Sequence, residues 1–283
     1  MSSENKIQLA FSTCPNDTFM FGTLLRGEAG FNPSTLDLVM CDIEELNSNA
    51  GKHLPDISKI SFASFPFIAD QYEILNSGSA VGYKNGPLLV SRHKIYPDEV
   101  KDLHIAIPGK LTTANLLLEI LFPGVKQKTS FLFSDIEDVV MDKACDAGLI
   151  IHENRFTYQK KGLLKIADLG EMWEKEYDLP VPLGGIVVKR DLPNEQKKSF
   201  EISLANSIRM AFADPKPIWT FIKSNAKEMD DDVIQAHIDL YVNDFSIDLG
   251  DKGKQAIRIL FQKAAERGLL PAIPEDIFFS SQS

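Results

Sequence analysis

The chain has 283 residues, 44% of them hydrophobic and 25% charged, which is enough for one large globular domain or two moderate ones. A formal charge of −10 argues against a nucleic-acid partner, which needs clustered Lys and Arg, but leaves room for a locally positive pocket that takes a small anion. Three cysteines (Cys14, Cys41, Cys145), no apolar signal core and no run of membrane-spanning length give the expectation of a soluble cytoplasmic protein with reduced thiols and no membrane partner.

Short apolar runs alternate with helical patterns, the signature of βαβ units and a mostly parallel sheet. Residues 7–11 read as a first strand, 12–17 as a turn and 18–25 as a helix. Strand 36–41 precedes helix 43–50, and strand 56–60 precedes a helix over about 62–72. Residues 103–107 form a strand, Pro108-Gly109-Lys110 a turn, and 113–121 a helix. A helix over 135–143 leads into the apolar run Ala147-Gly148-Leu149-Ile150-Ile151, read as a buried strand. The carboxyl third is helical, over 200–213, 217–224, 231–241 and 248–267, with Asp230-Asp231-Asp232 as a helix cap and solvated face.

Two glycine-led apolar segments, 86–92 and 184–190, bracket a central block with its own βα units. They are expected to be crossovers between two lobes. Residues 1–88 and 189–283 would form the larger lobe and 89–188 the smaller, with a central cleft and a double-strand hinge. That is the plan of a type II periplasmic-binding-protein-like α/β fold, although one doubly wound domain fits the same length. Trp173 and Tyr177 are expected to wall a pocket near this hinge, whereas Phe62, Phe65 and Phe67 read as core.

Four strand-to-helix junctions carry unusual polar residues. At Ser12-Thr13-Cys14-Pro15-Asn16-Asp17-Thr18, Asn16 or Asp17 can cap the helix expected from Thr18, and nothing nearby would lower the pKa of Cys14 to make it a nucleophile. Lys59-Ile60-Ser61 places a cation and a hydroxyl at the end of the third strand, where a surface lysine and a simple cap are the competing reading. Thr112-Thr113-Ala114 follows a glycine turn that lacks P-loop spacing, and its helix start offers free N–H groups for capping or for an anion. His152 emerges beyond a buried strand, at the sheet edge where α/β folds bind ligands, followed by Glu153, Asn154 and Arg155. No second histidine stands at metal-ligand spacing, so no metal site is expected, and His53, His93, His104 and His237 read as surface or packing residues.

Taken in order, Phe11 to Phe19, Lys59 to Ser61, Thr112 to Ala114 and Gly148 to Tyr158 resemble the 1,4-dihydroxy-6-naphthoate synthase family. So do Asp168-Leu169-Gly170, Leu183 to Ile186 and Tyr241 to Ser246. The resemblance spans nearly the whole chain, with Thr13 where the family often has proline and variation at Gly109-Lys110-Leu111. It implies the two-lobed fold used for catalysis, in a lyase of menaquinone biosynthesis that needs no metal or organic cofactor. Such a lyase cleaves a carbon–carbon bond of cyclic dehypoxanthinyl futalosine, a small anionic substrate. It further implies that His152 is a general base and that Lys59, Ile60, Ser61, Thr112, Thr113 and Ala114 bind substrate, joined by Asn16, Asn154 and Arg155. A cytoplasmic solute-binding or sensor module of the same fold, and chorismate dehydratase of the same pathway, are the alternatives. Monomer and homodimer stay open.

Overall fold

The computed structural model describes residues 6–227 and 230–280. β1 (Ile7–Phe11) leads into α1 (Pro15–Leu25), and β2 (Leu36–Met40) into α2 (Ile43–Gly51). β3 (Ile57–Ser61), β4 (Tyr72–Ile74) and β5 (Ala80–Gly82) follow, and after them β6 (Leu88–Ser91), β7 (His104–Ile107) and α3 (Thr113–Leu121). β8 (Gln127–Ser130), α4 (Ile136–Met141), β9 (Ala147–Ile150) and α5 (Asn154–Thr157) come next, then β10 (Leu164–Asp168) and α6 (Leu169–Tyr177). The chain ends through β11 (Val181–Lys189), α7 (Asn194–Ala213), α8 (Lys216–Asn225), α9 (Asp231–Tyr241), α10 (Asp244–Ile247) and α11 (Gly250–Glu266).

These strands build two sheets. The first has the order β2-β1-β3-β11-β4, with β5 also on β11, and the second the order β10-β6-β9-β7-β8. Each has a parallel βα half, β1 with β2 and β3, and β7 with β8 and β9. Each also has an antiparallel member, β11 in the first and β6 in the second, so the sheets are mixed rather than mostly parallel.

The two glycine-led segments are strands of different sheets rather than a pair of crossovers. β6 pairs with β9 and β10, whereas β11 runs from Gly184 opposite Ser61 to Val188 opposite Ile57. The chain therefore leaves the first sheet at residues 83–87 and returns at 178–180, ahead of β11 instead of at residue 189. Gly86 answers a packing demand at the first passage. A Cβ there would stand 2.3 Å from the backbone of Gly170, closer than any side chain tolerates.

Two other elements depart from the expected ones. α1 begins at Pro15, whose fixed φ suits a first helical position, with Cys14 extended before it as the N-cap. Helix 62–72 is instead a 3-10 segment, Phe62–Phe67, followed by β4. Pro66 has no N–H to give the Phe62 carbonyl and its ring crowds that oxygen, so an α-helical ladder cannot form there.

α1 is buried on nearly every side, from Pro15 to Leu24, between the first sheet and the carboxyl-terminal helices. Phe19, Met20, Phe21 and Leu24 join Phe200, Ile208, Ile218 and Ile238 in one core, each such side chain contributing about 1.5–3 kcal/mol by leaving water. This packing brings the start of α1 and the end of α9 to the same edge of the first sheet as Ser61. The ends of β7 and β9 face them from the second sheet.

Candidate active site

The cleft between the sheets is lined from both of them, by Ser12, Lys59 and Leu183 on one side and Thr112 and His152 on the other. Its first wall is a buried charge pair. Lys59 Nζ lies 3.1 Å from Asp17 Oδ1, both side chains almost wholly out of solvent, and also donates to Gly78 O. Asp17 Oδ2 accepts from the Ser12 hydroxyl at 2.6 Å and from Ser12 N, while Oδ1 also accepts from Asn16 Nδ2. Four donors saturate one carboxylate, and one N–H of Lys59 remains for the cleft.

His152 stands two residues beyond β9 and reaches across to groups held by the first sheet. Its φ of +56° is left-handed, a conformation that costs a non-glycine residue and is found at sites that demand it. The ring lies against Phe133, centroids 4.8 Å apart, and almost parallel to His237 at 5.8 Å, with Nε2 4.0 Å from Cys14 Sγ. Burial lowers its pKa more than Glu153 and Asp17 raise it, so the imidazole is uncharged near neutral pH and can accept a proton. Burial likewise pushes the Cys14 thiol far up, which removes it as a nucleophile.

The opposite wall is the start of α3. Thr112 is its N-cap, accepting from Asn115 N and donating to Gly109 O. Thr113 Oγ1 donates to Leu183 O at 2.6 Å and accepts from Ala63 N, so its hydroxyl joins α3 to β11 and the segment after β3. Both hydroxyls are thus committed to the scaffold. The first-turn N–H groups of Thr113 and Ala114, which have no acceptor within a helix, are the donors left for an anion. Across from them Asn47 holds Ser61 by two hydrogen bonds, to its N–H and its hydroxyl oxygen, leaving the Ser61 O–H free to donate to the cleft. Glu44 accepts from Lys110 N and closes one rim between the sheets.

Of the residues singled out in the sequence, Asn16, Lys59, Ile60, Ser61, Thr112, Thr113, Ala114 and His152 line this cleft together. Asn154 and Arg155 do not. Asn154 is buried beside Glu137, and the Arg155 guanidinium is taken by Asp168 Oδ2 at 2.6 Å and by Gly86 O. Trp173 also lies outside the lining, buried in the core with its indole N–H on Pro180 O. Asp17, read in the sequence only as a helix cap, and Leu183 and Tyr241, which were not read as ligand contacts, also line the cleft, and His237, read as a surface or packing residue, is fully buried behind His152. Only the acidic residue beside the Cys-Pro-Asn run offered a local signal; a histidine on an amphipathic helix offers none.

A two-sheet α/β protein with its cleft between the sheets, lined by Lys59, His152 and the start of α3, belongs to the class of periplasmic-binding-protein-like folds. Protein AF1704 from Archaeoglobus fulgidus has a closely similar structure, with a TM-score of 0.89 and 30% identity over 95% of this chain and 100% of that one. The ligand-binding component of an ABC-type import system from Staphylococcus aureus (TM-score 0.72, 15% identity, 98% and 97% covered) shares the fold. The periplasmic aliphatic sulphonate binding protein of Escherichia coli (TM-score 0.68, 11% identity, 98% and 93% covered) does too. In sequence, the 1,4-dihydroxy-6-naphthoate synthases of Streptomyces coelicolor and Thermus thermophilus are each 38% identical to this chain, covering 97% and 96% of it and 98% of their own length. The model of the menaquinone biosynthesis family matches residues 7–266, and the chain belongs to that family.

Proposed function

We propose that this protein is a carbon–carbon lyase that converts cyclic dehypoxanthinyl futalosine to 1,4-dihydroxy-6-naphthoate, with His152 as general base. The observation that carries the reading is that His152 lines the same cleft as the start of α3. Full-length relatives named as this synthase support the choice of substrate.

His152 takes a proton from the bound substrate, a step that a well-placed base accelerates by about 10²–10⁴-fold. The bond to the sugar-derived portion then breaks as the ring system becomes aromatic. Negative charge meets the N–H groups of Thr113 and Ala114 and the Lys59 ammonium, which are already fixed by the scaffold and need no reorganisation. Contacts from Thr113 to Leu183 and from Glu44 to Lys110 draw the two sheets together and keep bulk water from the reacting centre. Three free thiols fit a cytoplasmic setting.

Incubation of purified protein with the cyclic futalosine derivative, followed by mass spectrometry, tests the reading. Wild type is expected to release the dihydroxynaphthoate and His152→Asn to lose at least about two orders of magnitude in rate. Substrate binding without product would leave a binding module. Near-normal turnover by His152→Asn would remove the base.

A further inference from the structure

Behind His152 lies a group of side chains that this chemistry does not use. His237, on α9, has no solvent exposure, and its Nε2 is 2.9 Å from Asn16 Oδ1. The proton position follows from the partners. Asn16 Nδ2 donates to the Asp17 carboxylate, so Asn16 Oδ1 must accept from His237, and Nε2 carries the hydrogen. Nδ1 is left with a bare lone pair. It faces Glu153 Oε2 at 3.7 Å, and both atoms are buried without a hydrogen-bond partner among the described residues. Two buried acceptors point at one another, an arrangement that a cation between them resolves.

We infer that Glu153 Oε2, His237 Nδ1 and a ring nitrogen of His152 form a binding site for a zinc-class divalent cation, which on binding withdraws His152 from the cleft. The three donors lie within 4.8 Å of one another. Two ligands at about 2.0–2.1 Å from a tetrahedral ion stand about 3.4 Å apart, so the His237–Glu153 gap needs to shrink by only a few tenths of an ångström. His152, nearly parallel to His237, must turn its ring to complete the set. Two imidazoles and one carboxylate select Zn²⁺, Co²⁺ or Ni²⁺ over Mg²⁺ or Ca²⁺, which prefer oxygen. The outer support is already built. A ligating histidine characteristically donates its other N–H to a carbonyl or carboxylate, as His237 does to Asn16, itself fixed by Asp17.

The binding half of this inference stands on geometry alone; the inhibitory half rests on His152 being the base. The test titrates metal-free protein with Zn²⁺ by calorimetry and with Co²⁺ by its visible absorption, in wild type, Glu153→Gln, His237→Gln and, as a control, His104→Gln, whose ring pairs with Thr129 and Cys145. One equivalent of either ion is expected, with a tetrahedral Co²⁺ spectrum. Affinity should fall at least about tenfold in the first two variants and stay unchanged in the control. Glu153→Gln keeps the side chain's shape if His237→Gln fails to fold. Zn²⁺ should inhibit turnover in competition with substrate, and a chelator should restore it. Equal binding by Glu153→Gln, or no binding at micromolar Zn²⁺, overturns the site. Turnover with no metal binding would refute only this inference, and metal binding without turnover in any form would refute only the proposed function.

Discussion

Replacing Lys59 with methionine keeps most of the side-chain volume and removes one charge from the most enclosed ion pair of the cleft. Asp17 would retain its bonds from Ser12 and Asn16 but lose the ammonium 3.1 Å away, in a place where water cannot substitute for it. Breaking a buried pair from one side costs about 3–5 kcal/mol, because the remaining charge stays buried and uncompensated. For 283 residues, with an unfolding entropy of about 2.1 cal/mol/K per residue, that corresponds to a fall in Tm of about 5–8 °C. Adding Asp17→Asn to Lys59→Met removes the orphaned charge, so the double variant should be more stable than Lys59→Met alone. Urea midpoints for the four members of this cycle give the coupling directly. A loss below about 1 kcal/mol for Lys59→Met, or a double variant less stable than either single one, would refute the idea that this pair is desolvated and that its two charges depend on each other.

The left-handed backbone at His152 predicts that His152→Gly is more stable than His152→Ala by about 1 kcal/mol; equal thermal midpoints would contradict it. Burial lowers the pKa of His152 and His237 below 6.5, so the unfolded chain binds more protons than the folded one as pH drops through that value. Their stability contribution is complete above about pH 6.5 and is lost on acidification, by up to about 1.4 kcal/mol per pH unit for each ring. His237→Gln should therefore show a shallower loss between pH 6.5 and 5.5 than wild type in parallel urea titrations, and identical slopes would argue that the ring is solvated. Gly86→Ala places a methyl into the backbone of Gly170 and should destabilise the second sheet by about 1–3 kcal/mol, read as earlier hydrogen exchange in β6; unchanged protection there would disprove the close approach.

What the sequence determined by itself was local. Period-two and helical runs marked β1, β2, β3 and α3 to within a residue or two, because side-chain alternation and a cap such as Thr112 act over a few neighbouring residues. The polar ends of those runs, at Asn16, Lys59, Thr113 and His152, were visible for the same reason, and the sheet edges gather them into one cleft. Pro66 was equally visible, yet the helical pattern around it hid the switch to a 3-10 segment and β4. Pairings between distant segments were decided by tertiary structure alone. β11 joins the first sheet because its ladder with β3 satisfies both strands' backbones, which no local pattern announces. Arg155, polar and close to His152 in sequence, turns away because Asp168 and Gly86 O offer it a better enclosed partner than the cleft does. His237 comes to lie behind His152 because α9 packs against α1 and carries its ring to Asn16. A side chain's role at the cleft is fixed by which remote element closes over it, and that follows from the packing of the whole chain.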